Sequence, residues 1–272
     1  MDILKAIVYG ALQGLTEFLP ISSSAHIRIA PALLGWPDPG AAFTANIQLG
    51  TILAVLIYFR SDLAAAIKGW IAGLTDKSKR DTPEYRQGWG IFYGSIPIVV
   101  LGFLLKDIIE NQLRSLYVVA AMLIIMAIVL WVADKSAAKG RELDSATIAD
   151  GVIIGLFQAL ALAPGASRSG STISGALFRG FSREAAARFS FMLSVPSIVL
   201  AALYTAFSHR HEFSGMLVPL LVANLVSFVV GYGCIAFLMQ FLKTKSNSVF
   251  VAYRIVLGVA IIALMQSGII KN

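Results

Sequence analysis

Six long apolar segments, near residues 43–59, 89–105, 116–133, 189–207, 215–242 and 249–269, constrain this chain more than any other feature. Hydrocarbon offers no water to a backbone N–H or C=O. A spanning segment must therefore satisfy its own hydrogen bonds as a helix, or those of its neighbours in a closed barrel. About 17 to 25 apolar residues cross a bilayer as a helix, and each of these runs has such a length between charged or turn residues. The runs are continuous rather than alternating, which argues against a β-barrel. The chain is 57% hydrophobic and 14% charged, where an ordinary soluble domain is about 25% charged. The expected fold class is an all-α polytopic membrane protein, a single integral membrane domain over residues 1–272.

The net charge of +7 reads as loop topology rather than as a nucleic-acid surface, because cytoplasmic loops collect Lys and Arg. No nucleic-acid partner is expected, whereas membrane lipids are. The one cysteine, Cys234, sits in an apolar run and reads as a packing residue. The opening stretch lacks a basic region and carries Glu17 where a signal peptide has its apolar core, so it reads as part of the fold rather than as a leader.

Residues 3–34 and 147–180 differ from the six runs. Each is apolar, then broken by Pro, Ser and Gly, then helical again, and neither half is long enough to cross. Both read as re-entrant helix–turn–helix hairpins. If the first enters from outside, fourteen basic residues fall inside, in the loops 60–88 and 134–146, beside the second hairpin and at Lys243 and Lys245, against six outside. That bias supports about six transmembrane helices, two hairpins entering from opposite faces and both termini outside. The hairpins also resemble each other: Gly10 matches Gly155, Gln13 matches Gln158 and, with a one-residue gap, Pro20 matches Pro164. A similar helix follows each. The expectation is two inverted-topology repeats, one about 1–133 and the other about 147–272, with the hairpin tips meeting near the bilayer midplane.

The polar residues of these breaks are the candidates for chemistry. Glu17 is an acid in an apolar helix, which costs about 2.5–3.5 kcal/mol on insertion scales, and Gln13 lies one turn before it. Ser22, Ser23, Ser24 and His26 follow. Serine caps helices well, and His26 is able to act as acid, base or nucleophile. His209 and His211 fall in a short exterior loop and read as solvated. In "PGASRSGST", residues 164–172, a half-helix N-terminus carries Ser167, Ser169, Thr172 and Arg168. Free N–H groups, a positive helix end and a guanidinium fork suit a phosphate. Arg254, a second arginine at membrane depth, reads as a partner of Glu17, as a ligand of the same anion or as half of a structural ion pair. No zinc-type ligand cluster, Walker loop or CxxC is present. Glu17 with phosphate oxygens suits a hard divalent cation, Mg2+ or Ca2+.

Gln13–x–x–x–Glu17, "FLPISSSAH" and "PGASRSGSTISG" together resemble the membrane-integral undecaprenyl-pyrophosphate phosphatases of the bacitracin-resistance type. The likeness covers essentially the whole chain. It implies two interlocked inverted repeats in the bacterial cytoplasmic membrane, with a site opening toward the outer (periplasmic) face. It also implies hydrolysis of undecaprenyl pyrophosphate to undecaprenyl phosphate and inorganic phosphate, which recycles the lipid carrier of cell-wall polymers. By the same resemblance Gln13 and Glu17 hold the cation or orient water. Ser22, Ser23, Ser169, Thr172 and Arg254 line the pyrophosphate site, Arg168 clamps it, and Glu17, His26 and Ser167 join Arg168 in catalysis. Whether serine, histidine or water attacks stays open, and a homodimer is the oligomer considered. Ala25 stands where glycine is usual, and Thr44 where an acidic residue often sits. Inverted repeats with broken helices are also the architecture of transporters, so a carrier or flippase of polyprenyl phosphate lipids is the competing reading.

Overall fold

The computed structural model describes residues 1–136, 140–208 and 215–270. Lys139, His209, His211, Arg210 and Lys271, which enter the charge and histidine readings, lie outside the described residues. The chain forms α1 (Ile3–Phe18), α2 (Ser23–Leu34), α3 (Gly40–Asn46), α4 (Gln48–Tyr58), α5 (Arg60–Thr75), α6 (Pro83–Leu104) and α7 (Lys106–Asn111). After these come α8 (Leu116–Ser136), α9 (Ile148–Ala159), α10 (Arg168–Phe178), α11 (Arg183–Ser208), α12 (Leu217–Leu242) and α13 (Ser248–Gln266). No β-strand occurs among the described residues; one isolated bridge joins Arg141 to Phe181.

The protein is an all-α polytopic membrane protein. The helices α6, α8, α11, α12 and α13 are each long and apolar enough to cross a bilayer. The sixth expected span, over 43–59, differs. Helix runs over Ala42–Tyr58, then bends by 79° into α5, and the two reach crossing length only as a bent pair. Residues 60–75, expected as loop, are thus helical. Ala, Leu and Ile favour helix there, and α5 leans on the start of α6 through Gly73, where a Cβ would meet the Tyr85 ring. Its Ile67, Ile71 and Leu74, spaced one turn apart, stay on the outer surface.

The interior is polar where a soluble core would not be. Gln13, Asp150, Gln158, Thr172, Asn247 and Arg254 are fully buried, while Phe207 and Val256 stand on the surface. Lipid is as apolar as leucine, so burying apolar area drives little association, and close packing and hydrogen bonds hold the helices together. Small residues make the packing possible. Gly10 and Gly14 of α1 lie against the backbone of α12 at Ala223, Ser227 and Gly231, and Gly151 and Gly155 of α9 against Gly90 and Gly94 of α6.

Residues 3–34 and 147–180 both turn back. Asp150, in the first turn of α9, takes Arg179 at the end of α10 at 2.6 Å and Arg141 at 2.9 Å. In the first hairpin, Lys5 lies 5.5 Å over the ring of Trp36, just past α2. Helix α8 relates the two open ends. Beside its start, Arg28 and Arg114 meet on Asp38 at 3.7 and 2.8 Å. Near its end, Asp134 takes Arg183 at 2.8 Å and Asn247 at 2.8 Å. Hairpin one therefore opens at one end of α8 and hairpin two at the other, and their tips meet between.

Candidate active site

Each tip is a helix N-terminus built on a strained serine. Ser22 and Ser167 have φ of 76° and 70°, the only positive values outside glycine among the described residues. Such a backbone costs on the order of 1–3 kcal/mol. The return is a cap: Ser22 Oγ accepts from the Ala25 N–H at 3.4 Å, and Ser167 Oγ from the Gly170 N–H at 3.1 Å. Each cap also touches the serine two residues on, Ser22 to Ser24 at 3.1 Å and Ser167 to Ser169 at 3.2 Å. These matched caps correct the sequence register, because Gly10, Gln13, Ser22 and Ser24 have the same spacing as Gly155, Gln158, Ser167 and Ser169 with no gap. Pro164 then stands opposite Leu19, not Pro20. Glu17 stands opposite Leu162, Ser23 opposite Arg168 and His26 opposite Ser171, so the breaks are alike in backbone and unlike in chemistry.

The tips are tied to each other. The Gly165 N–H donates to Ser24 Oγ at 3.2 Å, and Ser169 Oγ to the Leu19 carbonyl at 3.2 Å. Arg254 completes the knot. Its guanidinium donates to the carbonyls of Pro20 on one tip, Gly165 and Ala166 on the other, and Leu123 and Met122 on α8, at 2.9 to 3.4 Å. Among the described residues it pairs with no carboxylate, so of the readings open for it the pairing with Glu17 does not form, and its donors are committed to main chain. Thr172 is likewise committed: Oγ1 donates to the Arg168 carbonyl at 2.8 Å and meets Ser190 Oγ.

Glu17, Ser23, Gln13 and Arg168 do come together. Glu17 Oε2 accepts from Ser23 Oγ at 2.6 Å and from Gln13 Nε2 at 2.8 Å. Glu17 Oε1 lies 3.8 Å from Arg168 Nη1. Arg168 Nη2 donates to Gln48 Oε1 at 3.1 Å, but Nε and Nη1 have no hydrogen-bond partner. Buried polar groups are rarely left unpaired, and two unspent donors of one guanidinium beside two half-helix N-termini have the chemistry that suits an anion. His26 stands nearby on α2, its Nδ1 at 2.7 Å from the Ser22 carbonyl and its Nε2 at 2.7 Å from Tyr253 Oη. Gln48 and Tyr253 were not singled out from the sequence. Gln48 is a polar residue in a largely apolar run that also holds Thr44, Asn46 and Thr51, so it did not stand out as Glu17 does, and Tyr253 is ordinary in a membrane helix.

Among the described residues no three His, Cys, Asp or Glu side chains cluster. The donors available to a cation are oxygens: Glu17 Oε1, and Gln13 Oε1, which is buried and without a hydrogen-bond partner. Mg2+ is commonly held by one or two carboxylates with substrate phosphate and water, and this donor set fits that pattern. Thr44, which stands where the resemblance often has an acidic residue, lines a small recess with Ser24, Arg28, Asp38, Arg114 and Pro164. Ala25 is fully buried, so its methyl is accommodated.

The fold is that of a helical membrane protein with a carboxylate, an imidazole and a half-used guanidinium carried on two half-helix tips that are tied to each other. The chain belongs to the bacitracin resistance protein BacA family, whose sequence model matches residues 6–260. It is 50% identical to the undecaprenyl-diphosphatase of Chlorobium chlorochromatii, with all of both chains covered. It is 51% identical to that of Chloroherpeton thalassium over 98% of each chain. It is 47% identical to undecaprenyl-diphosphatase 2 of Streptomyces coelicolor over 100% of this chain and 97% of that one.

Proposed function

We propose that this protein hydrolyses undecaprenyl pyrophosphate to undecaprenyl phosphate and inorganic phosphate, and thereby recycles the carrier lipid and confers bacitracin resistance. The observation that carries the reading is the pair of unspent Arg168 donors beside the Glu17–Ser23 hydrogen bond. Arg168 binds the pyrophosphate oxygens and neutralises the charge that grows on them as the anhydride opens. Glu17 takes the proton of the attacking oxygen, the Ser23 hydroxyl or a water held in its place. The bond from the terminal phosphorus to the bridging oxygen breaks, and undecaprenyl phosphate leaves; attack by water gives inorganic phosphate in the same step, whereas attack by Ser23 leaves a phosphoserine that a second water, giving its proton to Glu17, cleaves to inorganic phosphate and the free serine. Ser22 and Ser167 act as caps that aim their helix ends at the phosphates, and His26 serves as acid and base. A bound Mg2+ or Ca2+ would be held by Glu17 and Gln13 and would supply further neutralisation.

The reading extends to topology. Reciprocal packing of α1 on α12 and of α9 on α6 supports two inverted repeats, each lending its hairpin to the other. The segregation of Arg86, Arg141, Arg179, Arg183 and Arg188 from Arg28 and Arg114 supports a site opening toward the outer face of the cytoplasmic membrane. Relatives of equal length carry the name of a diphosphatase and not of a carrier, so the transporter reading is not favoured. In the test, protein purified in detergent is given the lipid pyrophosphate, with and without EDTA, beside Arg168→Ala. Phosphate release by the wild type with no membrane gradient is expected. No release with any divalent cation would overturn the enzyme reading.

A further inference from the structure

The two ring nitrogens of His26 have partners of different kinds. Nδ1 faces the Ser22 carbonyl at 2.7 Å. A carbonyl only accepts, so Nδ1 carries the proton. In the neutral ring Nε2 is then a lone pair, and the Tyr253 hydroxyl, 2.7 Å away, must be the donor. The two rings also lie nearly parallel, 6° apart with centroids at 5.7 Å. Stacking sets the plane of the imidazole, while the carbonyl and the hydroxyl set its rotation and tautomer.

Tyr253 occupies an unusual place for a packing residue. It is 44% exposed, so little of the core depends on it. It directly precedes Arg254, whose guanidinium holds the main chain of both hairpin tips. Two successive residues of α13 thus grip the same neighbourhood, one by its backbone and one by its imidazole. The grip runs across the molecule, since His26 and Tyr253 are 227 positions apart.

We propose that Tyr253 is the positioning residue of His26: with the Nδ1–H tautomer fixed by the Ser22 carbonyl, the Tyr253 hydroxyl donates to Nε2 and holds it in place as the basic nitrogen of the site. When Nε2 takes up a proton, the hydroxyl turns and accepts from the new N–H. Both protonation states of the imidazole are then satisfied with no movement of heavy atoms. Partners of this kind fix the tautomer of functional histidines. The proposal rests on the reading of His26 as an acid–base group of the phosphatase.

The test uses the full-length protein in detergent micelles with 15N-labelled histidine. The His26 signals are assigned by their loss in His26→Asn. The wild type should show a protonated Nδ1 and a bare, hydrogen-bonded Nε2; the reverse tautomer in the wild type overturns the proposal without any variant. Tyr253→Phe keeps the ring and should keep the melting temperature and the protonated Nδ1, but should move the Nε2 resonance, because only the Nε2 hydrogen bond is lost. It should lower kcat about tenfold with KM within about twofold. Tyr253→Phe added to His26→Asn should cost nothing more, because Tyr253 acts through His26. An unmoved Nε2 resonance in Tyr253→Phe, or a loss that multiplies with His26→Asn, sinks the proposal. The resonance readout needs no substrate, so it decides on Tyr253 even if the wild type releases no phosphate, an outcome that would overturn the functional reading instead.

Discussion

Arg168 and Arg254 both lie against the hairpin tips, but their donors are used in opposite ways. Arg254 is fully buried and serves carbonyls on three chain segments. Replacing it with Met leaves those acceptors unsatisfied, so a loss of about 3–5 kcal/mol is expected. A fall in the detergent melting temperature, or failure to purify as a single species, will show it. Arg168 leaves two donors unspent. Arg168→Ala is expected to fold like the wild type and to lose about 100-fold or more in phosphate release. Arg168→Lys should recover little, because an ammonium lacks the fork. Ser23 differs from its neighbours in the same manner: Ser22 and Ser167 spend their oxygens as caps, while Ser23 donates to Glu17. Ser23→Ala separates the two attackers. A loss on the order of 1000-fold marks serine attack, and one near tenfold marks attack by water. In the sequence these residues differ only by one position, and position alone does not say which way a hydroxyl faces.

At the scale of elements, the hairpins depend on close backbone approach and on closed ends. A Cβ on Gly155 would fall on the Gly94 carbonyl, and one on Gly10 on the Ala223 carbonyl. Gly155→Leu and Gly10→Leu should each unseat a hairpin, with a loss of about 1–3 kcal/mol or more and loss of turnover. Gly233→Ala, with nothing within 4 Å, should leave stability unchanged or slightly raised. The open end of hairpin two closes on Asp150, outside the spanning helices. Burial acts to raise that carboxyl, but hydrogen bonds from Arg141, Arg179 and Thr147 outweigh it and hold the pKa at about 2, below the ordinary 3.8. A carboxyl lowered by folding adds stability in full above its unfolded value and loses it as the pH falls through the folded one. Asp150 should thus contribute about 2 kcal/mol at neutral pH, lost between about pH 4 and pH 2. Melting curves of wild type and Asp150→Asn should differ at pH 7 and converge toward pH 2. That the hairpins exist was legible in Pro20, the serines and "PGASRSGST", because a break in an apolar helix is a local property. The helix α5 was not, since its charges read as loop while its packing on α6 through Gly73 is a contact between elements.

At the scale of the molecule, the ion pairs sort by end. Asp62, Asp134 and Asp150 hold arginines at one end, and Asp38 holds two at the other. Cys234 is the one cysteine and is buried, so probes are easily placed. With the site opening outward, a thiol at Gln112→Cys should react with an impermeant maleimide in intact cells, and one at Ser78→Cys only after permeabilisation; the reverse pattern rejects the orientation. The sequence by itself determined an all-helical membrane protein with two broken hairpins and polar tips, because lipid makes each segment satisfy its own backbone and because charge bias is additive along the chain. It also carried the family, through motifs that are contiguous. Only the tertiary structure decided that Arg254 spends its donors in tying the tips while Arg168 keeps Nε and Nη1 without a hydrogen-bond partner. It alone decided that Ser23 rather than a capping serine faces Glu17, that Gln48 meets Arg168 and that Tyr253 meets His26. Those assignments depend on which donor meets which acceptor, and residues 120 and 227 positions apart meet only when the helices have packed.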